Sequence, residues 1–206
     1  MSVVPGRDDS AQTGSGVKLT YDDFVLFPED GNRHELIDGE HYVTPSPNTK
    51  HQRVSVNLTG LMWSYLQQHP TGHLFAAPFD VVLSQFDVVE PDLIYLSHAR
   101  AAEILTDKHI RGVPELVVEI ASPSTRRRDE SVKRQLYERM GVSEYWMVDP
   151  EFEAMRVYRR PSDAHASQPF DHVTELSLEA GDSLTTPLLE GLVLPLSRVF
   201  RNVPPQ

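Results

Sequence analysis

The segment Pro114-Glu115-Leu116-Val117-Val118-Glu119-Ile120-Ala121-Ser122 constrains the fold more than any other. Its apolar run has strand length, with Gly112-Val113-Pro114 before it and Ser122-Pro123-Ser124-Thr125 after it. It reads as a strand buried on both faces. Such a strand belongs in the middle of a sheet with cover on either side. It also carries Glu119, which alternation places on the same face as Val117. A carboxylate there is costly unless it is paired or bound to a metal. One reading of Glu119 is therefore a buried ion pair with a nearby arginine. The other is a functional site.

Two further charges bear on that choice. Asp92 lies in Val88-Val89-Glu90-Pro91-Asp92-Leu93-Ile94-Tyr95-Leu96, which reads as one strand. Two adjacent strands could bring Asp92 and Glu119 to one end of a sheet, within reach of one ion. The plainer reading of Asp92 is a strand-end residue that caps a turn or pairs with an arginine. Lys133 falls on a helix predicted to run from the Ser122–Thr125 loop to Met140, with Gly141 just past its end. Val132, Leu136 and Met140 form the buried stripe of that helix, and Lys133 and Tyr137 share its edge. The lysine stem can lie along the core while its ammonium reaches the sheet. Asp129, four residues earlier, is its competing partner. Two acids and a lysine are what a magnesium-dependent phosphodiesterase needs: carboxylates for a hard cation, and an ammonium for the charge on phosphorus or for the attacking water.

At 206 residues the chain suits one domain with a full core. The absence of cysteine excludes disulfides and thiolate zinc sites. No apolar run has the length of a membrane span, and the first residues lack the apolar stretch of a secretory signal, so a cytoplasmic location is the default expectation. The net charge of −11 argues against simple nucleic-acid binding. Basic residues nevertheless gather beside Glu119 in sequence, as Arg126, Arg127, Arg128, Lys133 and Arg134, and again as Arg156, Arg159 and Arg160. An acidic protein with a basic lip at a metal site could still act on nucleic acid.

Residues 1–17 are small and polar and are expected to be a disordered tail. A single domain should fill 18–200, leaving 201–206 as a second tail. Leu19–Phe24 predicts a short helix with Thr20 as N-cap and Asp23 standing where a capping box usually has Glu or Gln. His34–Val43 predicts a hairpin turning at Asp38-Gly39. His51 to about Gln68 has helical spacing, and His69-Pro70-Thr71-Gly72 stops it. Further strands are expected at Phe79–Leu83, Tyr145–Val148, Ala154–Tyr158 and between Thr174 and Phe200, with a helix over 97–107 and a polar loop over 161–171. The order gives an α/β (α+β) domain with a central mixed sheet flanked by helices.

Glu90-Pro91-Asp92, the stretch Val113 to Thr125, the helix with Asp129, Lys133 and Tyr137, and Gly141-Val142-Ser143-Glu144-Tyr145-Trp146-Met147-Val148-Asp149-Pro150 together resemble the Uma-two family of restriction endonucleases, within the PD-(D/E)XK nuclease superfamily. His34-Glu35-Leu36-Ile37-Asp38-Gly39-Glu40 and Gly191-Leu192-Val193-Leu194-Pro195-Leu196 extend the resemblance over about 18–200. It implies a restriction-endonuclease-like core carrying an extra N-terminal hairpin and C-terminal strands. It implies Asp92 and Glu119 as magnesium ligands, with manganese an alternative. The superfamily's usual lysine lies two residues after the second acid, where this chain has Ala121; the resemblance nominates Lys133 instead. It adds Glu35 as a further site acid, which could complete the metal site through a water or could pair across the hairpin with Arg33 or a histidine. His51 either touches substrate or simply starts its helix. Asp80 could support the site from a neighbouring strand, and Tyr137 could bond a site carboxylate or be plain core.

The expectation is a magnesium-dependent DNA endonuclease with Asp92, Glu119, Lys133 and Glu35 in its site. It would have DNA as partner, no membrane association, and a homodimer where both strands are cut. A nuclease-fold module that binds nucleic acid or protein with little turnover is the alternative, motivated by the −11 charge and by Ala121. An acid-pair glycosidase is a third reading. There is no nucleophile elbow, P-loop or metalloprotease histidine spacing.

Overall fold

The computed structural model describes residues 17–28, 30–44, 46–161 and 168–203. The tail expected over 1–17, apart from Val17, lies outside the described residues, as do 162–167 of the polar loop and 204–206. The chain opens with α1 (Tyr21–Phe24), β1 (Arg33–Ile37), β2 (Glu40–Thr44) and the long helix α2 (Thr49–Gln68). β3 (Gly72–Ala76), β4 (Val81–Ser84), β5 (Asp87–Val89) and β6 (Leu93–Ser97) lead to α3 (His98–Ile104), β7 (Ile110–Arg111) and β8 (Leu116–Ile120). A helical segment follows, made of α4 (Arg126–Arg128), a π-helical turn (Asp129–Lys133) and α5 (Arg134–Met140). β9 (Glu144–Asp149), β10 (Ala154–Arg159), β11 (His172–Ser177), β12 (Ser183–Thr185), β13 (Val193–Pro195) and α6 (Leu196–Val199) complete it.

The central sheet has six strands in the order β11-β10-β9-β8-β6-β3. β8 and β9 run parallel and the other neighbours antiparallel, so the sheet is mixed. The parallel pair requires a crossover, and the segment 126–140 is that crossover. All five residues of β8 are buried, as its apolar run demands. Leu116, Val118 and Ile120 face a core formed with Val54, Leu58, Met62 and Leu66 of α2 and with the C-terminal residues Leu184, Leu194, Leu196 and Val199. Val117 and Ala121 face a second core with Leu136, Tyr137, Ile94, Tyr145 and Met147. Glu119 belongs by alternation to this second face.

A second sheet, in the order β2-β1-β5-β4-β7, packs against that face through Ile37, Val81, Val89 and Ile110. The sequence does not announce it. Val88–Leu96 reads as one strand, but the chain divides it into β5 in the second sheet and β6 in the central one. Pro91 has no N–H to give a ladder, and Glu90-Pro91-Asp92 carries the chain from one sheet to the other. Asp92 thus stands just before β6, at the mouth between the sheets. The sequence pattern does not mark β3 or β7 either, and α3 ends at Ile104 rather than near 107.

The hairpin and capping signals are realised locally. Asp38 and Gly39 both take positive φ, 53° and 76°, as a tight two-residue hairpin turn needs. A Cβ on Gly39 would stand 2.6 Å from the Lys18 Cβ, so the turn also needs the missing side chain. Thr20 and Asp23 form the capping box at α1. Gly141, at φ 92°, ends α5 in the left-handed conformation. Among the described residues no helix is long and apolar enough to cross a membrane.

Candidate active site

β6 and β8 pair antiparallel with Leu93 opposite Val118, which brings Asp92 level with Glu119. The pairing is reinforced by the Ile120 N–H, which donates to Asp92 Oδ2 at 2.8 Å. The second Asp92 oxygen, Oδ1, receives Arg33 at 3.1 Å, and His51 Nε2 lies 3.0 Å from Oδ2. Burial pushes the Asp92 carboxyl up, but the His51 contact, the Arg33 charge and the Ile120 N–H outweigh it and hold the group below the usual carboxylate range.

Lys133 comes to Glu119 from the crossover. Its ammonium lies 2.9 Å from Glu119 Oε1 and 2.7 Å from Glu35 Oε1. The sequence puts Lys133 and Tyr137 at the edge of a stripe, but both are fully enclosed: Lys133 is 3% exposed and Tyr137 not at all. The π-helical turn supplies the difference. One wide turn at Asp129–Lys133 places Asp129 and Lys133 inside together, and the Tyr145 hydroxyl donates to the Asp129 carbonyl at 3.1 Å. Tyr137, four residues on, donates its hydroxyl to Glu119 Oε1 at 2.5 Å. Lys133 bonds Glu35 and Glu119 rather than pairing with Asp129 in solvent.

Glu35 projects from β1 into the same cluster. It accepts the Glu90 N–H at 3.1 Å and the Thr44 hydroxyl at 3.2 Å, and Arg128 stands 3.5 Å from Oε2. It pairs with neither Arg33 nor a histidine across the hairpin. One ammonium between two buried carboxylates cannot neutralise both. Burial raises Glu35, but Lys133, Arg128 and the Glu90 N–H more than offset it and the group is held low. Glu119 bears the cost. Burial, with Asp129, Asp92 and Glu35 nearby, pushes it up to about 8 against the pull of Lys133. Burial also lifts Asp129 to about 6, opposed by Lys133 and by the Thr125 hydroxyl. Burial alone would lower Lys133; Glu119, Glu35 and Asp129 raise it instead, so it stays an ammonium.

Asp80, just before β4, pairs with Glu90, and burial raises both, Glu90 to about 7. A cleft of about 360 Å³ opens onto Asp92, lined by Arg33, Thr44, His51, Gln52, Ser55 and Glu90 among others. His51 Nδ1 is buried at its wall with no partner among the described residues. The structure thus brings Asp92, Glu119, Lys133 and Glu35 into one cluster, with Tyr137 on Glu119 and Asp80 behind Glu90. Arg33 and His51 on Asp92, and Thr44 and Arg128 on Glu35, are additions. Period-two alternation from Glu35 could have found Arg33; nothing in the sequence points Arg128 at Glu35 over its basic neighbours.

A family model described as "Putative restriction endonuclease", Uma2, matches residues 21–197. The chain belongs to the Uma2 family. The crystal structure of "a putative nuclease belonging to DUF820 from Anabaena variabilis ATCC 29413" is similar to it with a TM-score of 0.72 and 19% identity, over 88% of this chain and 97% of that one. At that identity the likeness is one of fold, a nuclease fold of mixed sheets flanked by helices. No curated protein matches the chain.

The cation that this Uma2 site implies can be tested against the donors present. Asp92 and Glu119 are hard oxygen donors set side by side, and magnesium commonly takes one or two carboxylates and keeps several waters. Among the described residues no group of three or more His, Asp or Glu side chains is arranged to hold an ion. The two-carboxylate set fits magnesium or manganese and does not fit an all-protein cage.

Proposed function

We propose that this Uma2 protein is a metal-dependent DNA endonuclease that hydrolyses phosphodiester bonds. The observation that carries the reading is the pairing of Asp92 and Glu119 across two strands, with the Lys133 ammonium on Glu119. Asp92 and Glu119 would hold the ion, which when bound polarises the phosphate and lowers the pKa of water. Lys133 is charged, buried and fixed by two carboxylates. It offers a preorganised positive charge to the phosphorane-like transition state without having to reorganise. Glu35 keeps Lys133 in place and keeps it charged. Tyr137 fixes the Glu119 carboxyl through its hydroxyl.

In this reading water attacks phosphorus, the bond to the 3′ oxygen breaks, and the products carry 5′-phosphate and 3′-hydroxyl ends. Calorimetric titration with manganese, in parallel with cleavage of a DNA duplex, tests it. Wild type should bind the ion and cut, and Asp92→Ala should do neither. Binding unaffected by Asp92→Ala would overturn the assignment. That Asp92, Glu119, Lys133 and Glu35 each already bond protein partners favours a second reading, a nuclease-fold binding module with little turnover. A duplex that is bound tightly but never cut would support it.

A further inference from the structure

The three cations around the acids are held with unequal firmness. Lys133 is enclosed and bonded on two sides, to Glu35 and Glu119. Arg128 donates to the Thr44 hydroxyl at 2.6 Å, faces Glu35, and lies over the Tyr42 ring. Arg33 makes a single hydrogen bond among the described residues, to Asp92 Oδ1, and its side chain is 21% exposed against 3% for Lys133. The other donors of its guanidinium have no partner among the described residues, and the side chain lines the cleft.

Its position in β1 explains this aim. Arg33 and Glu35 are two residues apart on one strand and project to the same side, one into the cleft and one into the cluster. Asp92 is held asymmetrically as well. Oδ2 has the Ile120 N–H and His51, whereas Oδ1 has Arg33 alone. Arg33 is therefore the cation that can leave Asp92 at the loss of one bond, and Oδ1 is the oxygen that departure frees.

We propose that Arg33 is the phosphate-binding residue of this site and that it competes with the metal ion for Asp92 Oδ1. The proposal rests on the reading of Asp92 as a metal carboxylate. A guanidinium and a divalent cation repel each other, so the two do not share one oxygen comfortably. When Oδ1 is used for cation binding, Arg33 turns outward into the cleft. There its planar fork matches a phosphodiester, with two parallel N–H donors to the non-bridging oxygens. Without the ion, Arg33 satisfies Asp92 and the cleft lacks a free guanidinium for the backbone of a nucleic acid. Metal binding and phosphate binding are thereby coupled through one side chain. Lys133 and Arg128 have no such freedom.

The test is manganese binding by calorimetry for wild type, Arg33→Ala, Arg33→Lys and Asp92→Ala, with fluorescence anisotropy of a short DNA duplex in calcium. Arg33→Ala should bind manganese at least about tenfold more tightly, the scale of one charge removed several ångströms from a divalent ion even at water-like screening. It should also bind the duplex several-fold more weakly. Arg33→Lys keeps the charge and loses the fork, so its manganese affinity should stay within about twofold of wild type while its duplex affinity falls. It also serves as the folded control should the alanine variant misfold. Manganese binding no tighter in Arg33→Ala, or duplex binding unchanged in either variant, overturns the proposal while leaving the metal site standing. Absence of manganese binding in wild type removes the metal site itself, and the competition with it.

Discussion

Glu119 shows how one residue shapes the whole site. It is buried in the central strand, beside Asp92 and Asp129, and the shared Lys133 ammonium does not fully offset that cost. A carboxyl at about 8 in the folded chain and near 4.5 when unfolded binds its proton more strongly in the folded state. Its contribution to metal-free stability is therefore undiminished below about 4.5 and is lost as pH rises toward 8. Chemical denaturation with EDTA across that range should show a stability loss with rising pH that Glu119→Gln reduces; an identical pH slope in the two proteins would contradict the assignment. Lys133→Met leaves Glu35 and Glu119 buried without their shared ammonium. It should lower stability by about 3–5 kcal/mol in urea denaturation. The acids and the lysine were legible in the sequence because charges in apolar runs stand out. Arg33 was not, and His51 stayed open between a substrate contact and a helix start, because at the first residues of a strand and a helix both resemble ordinary solvated positions.

Among the elements, the π-helical turn matters most. Asp129, Lys133 and Tyr137 all face inward because the turn is wide at Asp129–Lys133. Deleting Ser131 should restore ordinary helical geometry, shorten the segment by one residue and move Lys133 out of the position the wide turn gives it. The deleted protein should lose cleavage and the Lys133–Glu119 contact together, as cleavage assay and crystallography would show. The spacing of Val132, Leu136 and Met140 gives the helix but not this turn, since one extra residue per turn leaves no mark on so short a stripe. The β1–β2 hairpin is the opposite case, readable from Asp38-Gly39 alone. Gly39→Ala combines a positive φ with a Cβ at 2.6 Å from Lys18 and should cost about 1–3 kcal/mol in thermal or urea unfolding. The division of Val88–Leu96 between two sheets was signalled only by Pro91, and burial on both sides hid it: β5 and β6 are both apolar because both sheets are covered.

For the molecule as a whole, the charge of −11 sets the terms of any contact with DNA. Long-range repulsion has to be overcome locally, at the cleft, where Arg33 lies beside the acids. Duplex binding should therefore be weak in EDTA and strengthen with calcium, and anisotropy titrations in the two conditions check this; equal affinities would show that the cation plays no part in binding. The fold was largely legible, because the apolar strand Leu116–Ile120 and the crossover that follows it define the central sheet. The second sheet was not, because its pairings join short strands far apart in sequence, such as β4 with β7. The measurement that bears most directly on the account is cleavage of supercoiled plasmid in magnesium or manganese, with EDTA and Glu119→Ala as controls. Nicking by wild type that disappears with EDTA and in the variant is the predicted result. Nicking that persists in EDTA or in Glu119→Ala, or no cleavage by pure wild type in either metal, would contradict it.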